Sequence, residues 1–228
     1  MAIKAIVFDL DGTIVNFNLD YKSARAEVIQ FLSNHGFPAS VFSINESVFE
    51  MLKKLEILVQ NHRSSKSISQ LKKDVLAIME KYEKEGAQTT QLLPGAFETL
   101  QTLRKMKLKL GIFTINGQRT TDQILSTFRL KPFFKTVITR DSVPKVKPNP
   151  IHLETVLKKL KAKPEETLVV GDSRWDMTAA RELKVYAVGT STGIATPEEL
   201  TRAGADCLIA SPTDLIALVE KLNENKEQ

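Results

Sequence analysis

Cysteine is nearly absent. Cys207 is the single one among 228 residues, so the chain forms no intramolecular disulfide and assembles no multi-cysteine zinc site, which fits a reducing compartment. Aromatic residues make up only 7% of the chain, and the lysines are scattered among them without a basic block. The formal charge of +5 therefore gives a general bias toward anions, and a nucleic-acid surface is not expected. No apolar run reaches the length of a membrane span, and Lys4 leads straight into an apolar segment without the layout of a signal peptide. A cytoplasmic protein with no membrane partner is the expectation. The three histidines, His35, His62 and His152, share no ligand-like spacing and are read as surface or structural residues. Cys207, in "DCLIA", is read as a buried strand thiol.

What is present is a globular composition, 42% hydrophobic, enough for a sizeable core. Periodicity divides the chain. Between residues 17 and 91 the apolar positions fall at helical spacing, as in Ala24, Val28, Phe31 and Leu32, then Val48, Leu52, Leu55 and Val59. Ser43 with Glu46 reads as a capping box, and Gly86 as a helix stop. From Leu92 onward, short apolar runs ("LGIFTI", "TVITR", "LVVGD", "VYAVGT", "DCLIA") alternate with amphipathic helices. That alternation implies a parallel sheet with helices on both faces. "IKAIVFDLD" is a run of the same kind, so the first strand joins that sheet. The expected architecture is an α/β, Rossmann-like core of residues 1–16 and 92–228 interrupted by a helical unit of residues 17–91.

Open parallel sheets bind ligands beyond the carboxyl ends of their strands. At those ends lie Asp9 and Asp11, Thr114 and Asn116, Asp172 and Asp176, with Lys147 in the loop "VPKVKPNP". Two carboxylates placed two residues apart beside a core repel each other, and a hard divalent cation such as magnesium, which prefers oxygen ligands, would offset that repulsion.

"DLDGT" (Asp9 to Thr13), Thr114 at a strand end, Lys147 before Pro-Asn-Pro and "GDSRWDM" together resemble the four ordered motifs of the haloacid dehalogenase superfamily, nearest its phosphoglycolate-phosphatase-like branch. The helical unit is similar to that family's inserted cap, so the resemblance spans the chain. It implies a Mg2+-dependent phosphatase of small phosphorylated metabolites. Asp9 would be the nucleophile that forms an aspartyl-phosphate, and Asp11 the acid and base. Asp9, the backbone carbonyl of Asp11 and Asp172 would hold the metal, with Asp176 orienting a metal-bound water or Lys147. Thr114 and Lys147 would hold the phosphoryl oxygens. Asn116 would join them, although Ile115 separates it from the motif hydroxyl and Asn116-Gly117 also reads as a plain turn. Lys145 is a rival to Lys147, which has the family-like context. The cap would close over the site and select the leaving group, with Asn16, Lys22 and Arg25 as candidate contacts; Trp175 is read as packing. The alternatives are a phosphomutase with the same core residues and a phosphate-binding module without turnover. The expected assembly is a monomer or a homodimer.

Overall fold

A computed structural model of the chain describes residues 2–16, 18–61 and 67–224. The chain opens with β1 (Ala5–Phe8) and β2 (Val15–Asn16), runs through α1 (Tyr21–Asn34), α2 (Val48–Asn61) and α3 (Ile68–Thr89), and returns at β3 (Gln91–Leu92). Helices and strands then alternate through α4 (Ala96–Lys105), β4 (Lys109–Phe113), α5 (Gln118–Thr127), β5 (Phe134–Ile138) and α6 (Pro150–Leu160). The last third holds β6 (Thr167–Gly171), α7 (Arg174–Glu182), β7 (Tyr186–Thr190), α8 (Pro197–Ala203), β8 (Cys207–Ile209) and α9 (Asp214–Glu224). Two compact units result, Met1–Phe17 with Thr90–Gln228, and Asn18–Thr89.

The first unit is built on a six-stranded sheet in the order β5-β4-β1-β6-β7-β8, with every pairing parallel. β1 lies at the centre because its four residues, AIVF, are buried on both faces. Ala5 and Val7 pack with Phe113, Val169 and Ala187 against Leu153, Val156 and Met177 of α6 and α7. Ile6, Phe8, Ile112 and Val170, also buried, point the other way by the twofold alternation of a strand. Right-handed crossovers place α4 and α5 on that second face, where α4 packs on α9. Each large side chain so buried stabilises the sheet by roughly 1.5–3 kcal/mol. The chain proceeds from β1 to β4 on one side and later to β6 on the other, so the crevice of a doubly wound sheet opens at the end of β1. Asp9 is the next residue.

Gln91, which the periodicity assigns to the helical insertion, pairs instead with Asn16 in the two-stranded β2–β3 ribbon. Phe17, the expected first residue of that insertion, and His62 lie outside the described residues. Within the helical unit, α1 buries Ala24, Val28 and Leu32, α2 buries Val48, Met51, Leu52 and Leu55, and α3 buries Leu71, Val75 and Met79.

Three local expectations are corrected. The reciprocal cap belongs to Ser47 and Glu50, whose backbone and side-chain groups bond at 2.7 and 3.1 Å, and α2 begins at Val48. Ser43 and Glu46 form only a preceding turn, with the Ser43 N–H donating to the Glu46 carboxylate at 2.9 Å. Gly86 does not stop α3, which continues to Thr89. It is a close-approach glycine, since a Cβ there would stand 3.2 Å from the Asn18 carbonyl oxygen. Cys207, expected to be buried, is partly exposed because β8 is the sheet's edge. Among the described residues no helix is long and apolar enough to cross a membrane.

Candidate active site

Register brings the strand-end residues to one rim. Phe8 is level with Ile112 of β4 and Val170 of β6, so Asp9 falls beside Phe113 and Gly171, and its N–H donates to the Val170 carbonyl at 2.9 Å. Asp9, Asp172 and Asp176 are buried and offer carboxylate oxygens that all lie within 4.8 Å of one another. Lys147 joins them from the loop after β5. Its Nζ stands 2.6 Å from Asp9 Oδ1 and 2.7 Å from Asp176 Oδ1. It also reaches the Phe113 carbonyl at 3.4 Å and sits 4.5 Å from the centre of the Phe113 ring. Lys145 is exposed, so Lys147 alone of the two enters the cluster. The Asn149-Pro150 pair that follows starts α6: Asn149 Oδ1 accepts the Ile151 N–H at 3.1 Å, and Pro150 occupies the first turn.

Each carboxylate is fixed by its own loop. Asp9 Oδ1 accepts the Leu10 N–H at 2.7 Å. Ser173 caps α7 in a reciprocal box with Asp176, its hydroxyl donating to Asp176 Oδ2 at 2.6 Å and its N–H at 3.0 Å. Both oxygens of Asp176 are thereby engaged, one by Lys147 and one by Ser173. Asp172 Oδ2 accepts the Ile194 N–H at 2.8 Å, in the loop after β7. That loop depends on glycine, because a Cβ on Gly193 would fall 1.8 Å from Asp172 Oδ2. Gly12, with φ +68°, crowds the same oxygen, since a Cβ there would fall 2.6 Å from it and 2.8 Å from the Gly193 Cα. The Thr192 hydroxyl donates to the Gly12 carbonyl at 2.5 Å.

The remaining expected residues are close by in sequence but play no part in this cluster's ion pairs. The Asp11 side chain is not one of the three grouped carboxylates; Asp11 is half-buried and makes a bridge to Val15 in the turn after β1. Thr114 is fully buried, with its N–H on the Ile138 carbonyl at 3.0 Å and its hydroxyl accepting the Asn116 N–H at 3.2 Å. Asn116 is buried as well, and its Nδ2 has no hydrogen-bond partner among the described residues. Lys22 and Asn16 are exposed, whereas Arg25 donates to the Ile44 carbonyl at 3.1 Å and lies over the Tyr21 ring. Trp175 is half-buried, beneath the Arg174 guanidinium.

The electrostatics are those of an overcharged cluster. Burial, and then Asp176 and Asp172, push the Asp9 carboxyl well above the usual range even though Lys147 pulls it down. Burial and Asp176 raise Asp172 to about 6. Burial alone would depress Lys147, but Asp176 and Asp9 together outweigh it and hold the ammonium above the ordinary lysine range. Three carboxylates against one ammonium leave two negative charges uncompensated when all are ionised. The set of hard oxygen donors and this charge excess both fit a divalent cation, with Asp9 and Asp172 able to hold it and Asp176 spent on Lys147 and Ser173.

Sequence reading missed His152, Ser173 and the Gly193–Ile194 loop. Only Ser173 had a local signal, the S-x-x-D spacing of a capping box. His152 is fully buried, and burial followed by the Lys147 charge lowers its pKa from 6.5 to about 4. A depressed histidine contributes stability that is complete above its unfolded pKa and is lost as pH falls through the folded one. Between pH 6.5 and 4 the wild type is therefore expected to lose about 3 kcal/mol more than His152→Asn. Urea denaturation of both proteins across that range measures the difference, and parallel curves would contradict it.

A doubly wound parallel sheet whose carboxyl rim carries buried aspartates and a lysine is the architecture of a Rossmann-like hydrolase. The chain belongs to the haloacid dehalogenase-like hydrolase family, whose pattern matches residues 6–190. It is similar to pyrophosphatase PpaX of Anoxybacillus flavithermus, 30% identical over an alignment of 230 positions that covers 96% of this chain and 98% of that protein. Pyrophosphatase PpaX of Bacillus mycoides is 28% identical over 98% of this chain and 100% of its own length. The crystal structure of a hydrolase from Pseudomonas syringae matches with a TM-score of 0.71 at 30% identity, covering 96% of this chain and 98% of that one. CbbY from Rhodobacter sphaeroides, in complex with phosphate, shares the fold at a TM-score of 0.66 and 21% identity, covering 93% and 96%.

Proposed function

We propose that the protein is a magnesium-dependent phosphatase of small phosphorylated metabolites that works through an aspartyl-phosphate on Asp9. The observation that carries this reading is the buried cluster itself, in which Asp9, Asp172 and Asp176 confront the single ammonium of Lys147. Such an excess of negative charge is tolerable only with a cation bound or a proton retained, and an ionised Asp9 is what a nucleophile requires. Magnesium, held by Asp9, Asp172 and the Asp11 backbone carbonyl, would supply charge compensation between nucleophile and phosphate.

The chain's own residues account for the remaining chemistry. An Asp9 oxygen forms a bond to phosphorus while the bond to the leaving oxygen breaks, and Asp11 gives that oxygen a proton. Water then attacks the same phosphorus, Asp11 takes its proton, and Asp9 is released. Lys147 has three donors, directed at Asp9, Asp176 and the Phe113 carbonyl. The last bond is long, 3.4 Å, so a phosphoryl oxygen takes its place at the smallest loss. Thr114 supplies a second donor, and choice among substrates is assigned to the helical unit acting as a cap.

The test is hydrolysis of p-nitrophenyl phosphate with magnesium and with EDTA, followed by a panel that includes phosphoglycolate and, because the curated relatives are named pyrophosphatases, inorganic pyrophosphate. Metal-dependent turnover is expected. Folded protein inactive on the whole panel would overturn the reading. Gly193→Ala gives a sharper check. Its Cβ would collide with Asp172 Oδ2, so the magnesium concentration needed for half-maximal activity should rise about 10- to 100-fold; an unchanged requirement would remove Asp172 from the metal site.

A further inference from the structure

We propose that His152 is a positioning residue that locks Lys147 to the strand end carrying Thr114. The ring is fully buried in the first turn of α6. Its Nδ1 lies 3.2 Å from the Lys147 backbone nitrogen and its Nε2 lies 3.1 Å from the Ile138 carbonyl. Both partners are main-chain groups with fixed roles, an N–H that donates and a carbonyl that accepts. The ring is therefore the neutral Nε2–H tautomer, accepting from Lys147 and donating to Ile138.

The Ile138 carbonyl also accepts the Thr114 N–H at 3.0 Å. One carbonyl thus carries both the strand end of Thr114 and, through the imidazole, the backbone of Lys147. The same ring packs edge-to-face on Phe113, with centroids 5.6 Å apart, and Phe113 in turn underlies the Lys147 ammonium. A leucine would fill this helical position without the desolvation that a buried imidazole incurs, but it would leave the Lys147 N–H without an acceptor. His152 touches no reacting atom. Its role is to set where the two phosphate-holding donors stand relative to each other, and it rests on the phosphatase reading above.

His152→Leu removes both hydrogen bonds, whereas His152→Asn keeps an oxygen acceptor close to the position of Nδ1. On p-nitrophenyl phosphate with magnesium, His152→Leu is expected to lose roughly 10- to 100-fold in kcat with KM changed less than about threefold, since misplaced donors fail chiefly in the transition state. His152→Asn should recover most of that kcat even if its melting temperature is the lower of the two. Amide hydrogen exchange gives an arm that needs no turnover. The Lys147 N–H should be protected in the wild type and His152→Asn and exchange about tenfold faster or more in His152→Leu, while the Val169 N–H in β6 is unchanged. Nitrogen shifts of the ring at pH 7 should report the Nε2–H tautomer.

Wild-type kcat in His152→Leu, an Nδ1–H tautomer, or kcat losses that simply follow melting temperature would overturn the proposal. Inactivity of the wild type on every phosphoester would instead overturn the phosphatase reading, and the exchange and tautomer results would then decide the role of His152 by themselves.

Discussion

Asp9→Asn is expected to lose magnesium-dependent phosphatase activity by at least about 10⁴-fold, the scale on which removal of a covalent nucleophile acts, and to remain folded. The second half of that statement comes from charge. With Asp9 neutral, the cluster of Asp9, Asp172, Asp176 and Lys147 carries one uncompensated negative charge in place of two, and Lys147 keeps its 2.7 Å partner Asp176. In EDTA at neutral pH the variant should therefore melt no lower than the wild type. Magnesium should raise the melting temperature of the wild type and leave that of the variant nearly unchanged, because a ligand stabilises only what it binds. Thermal melts with and without metal, alongside turnover of p-nitrophenyl phosphate, make the measurement. Retained turnover would exclude Asp9 as nucleophile. A variant that fails to fold would show that the carboxylate is needed by the fold rather than by the reaction.

Lys147→Met should be damaging in both respects. Its ammonium is bonded to two buried carboxylates, at 2.6 and 2.7 Å, and removing one partner of a buried ion pair costs about 3–5 kcal/mol because the other charge stays behind. Here two carboxylates stay behind, so the loss should be largest at high pH and shrink as the cluster takes up protons. Because the lysine is the proposed donor to the phosphoryl group, its removal should lower kcat by a further factor of about 10²–10³. Urea denaturation at pH 8 and at pH 5, together with kcat, tests both effects. Lys145→Met, two residues away and exposed, is the control and should behave as the wild type. Equal behaviour of the two variants would remove the lysine from the site.

These residues could be singled out because a parallel sheet turns one-dimensional pattern into a place. Apolar runs ending in Asp9, Thr114 and Asp172 are strands whose next residues stand at one rim, whatever their separation in the chain. The context Lys-Pro-Asn-Pro separated Lys147 from Lys145 through its resemblance to the family motif, and in the structure its Asn149 and Pro150 start α6. His152 was opaque for the opposite reason. In "NPIHLETVLKKL" it occupies an ordinary core position of an amphipathic helix, and nothing local reveals that the ring accepts a backbone N–H from the preceding loop. Gly193 was equally hidden, since its constraint comes from Asp172, a neighbour in space only. The misplaced cap at Ser43 and the misread Gly86 share a cause: two S-x-x-E spacings lie four residues apart, at Ser43 and Ser47, and a glycine marks a helix end or a close contact with the same letter. Tertiary packing chose between them.

The central place of β1 also has a consequence in time. Its hydrogen-bonding neighbours, Lys109 of β4 and Thr167 of β6 facing Ala5, emerge from the ribosome long after it does, and pairings so distant in sequence close slowly. The acidic cluster does not exist until β6 has docked and brought Asp172 to Asp9. A cation held by those two aspartates would therefore arrive at a finished sheet, and its hold on the protein would be felt in how slowly the fold is lost rather than in how quickly it is gained.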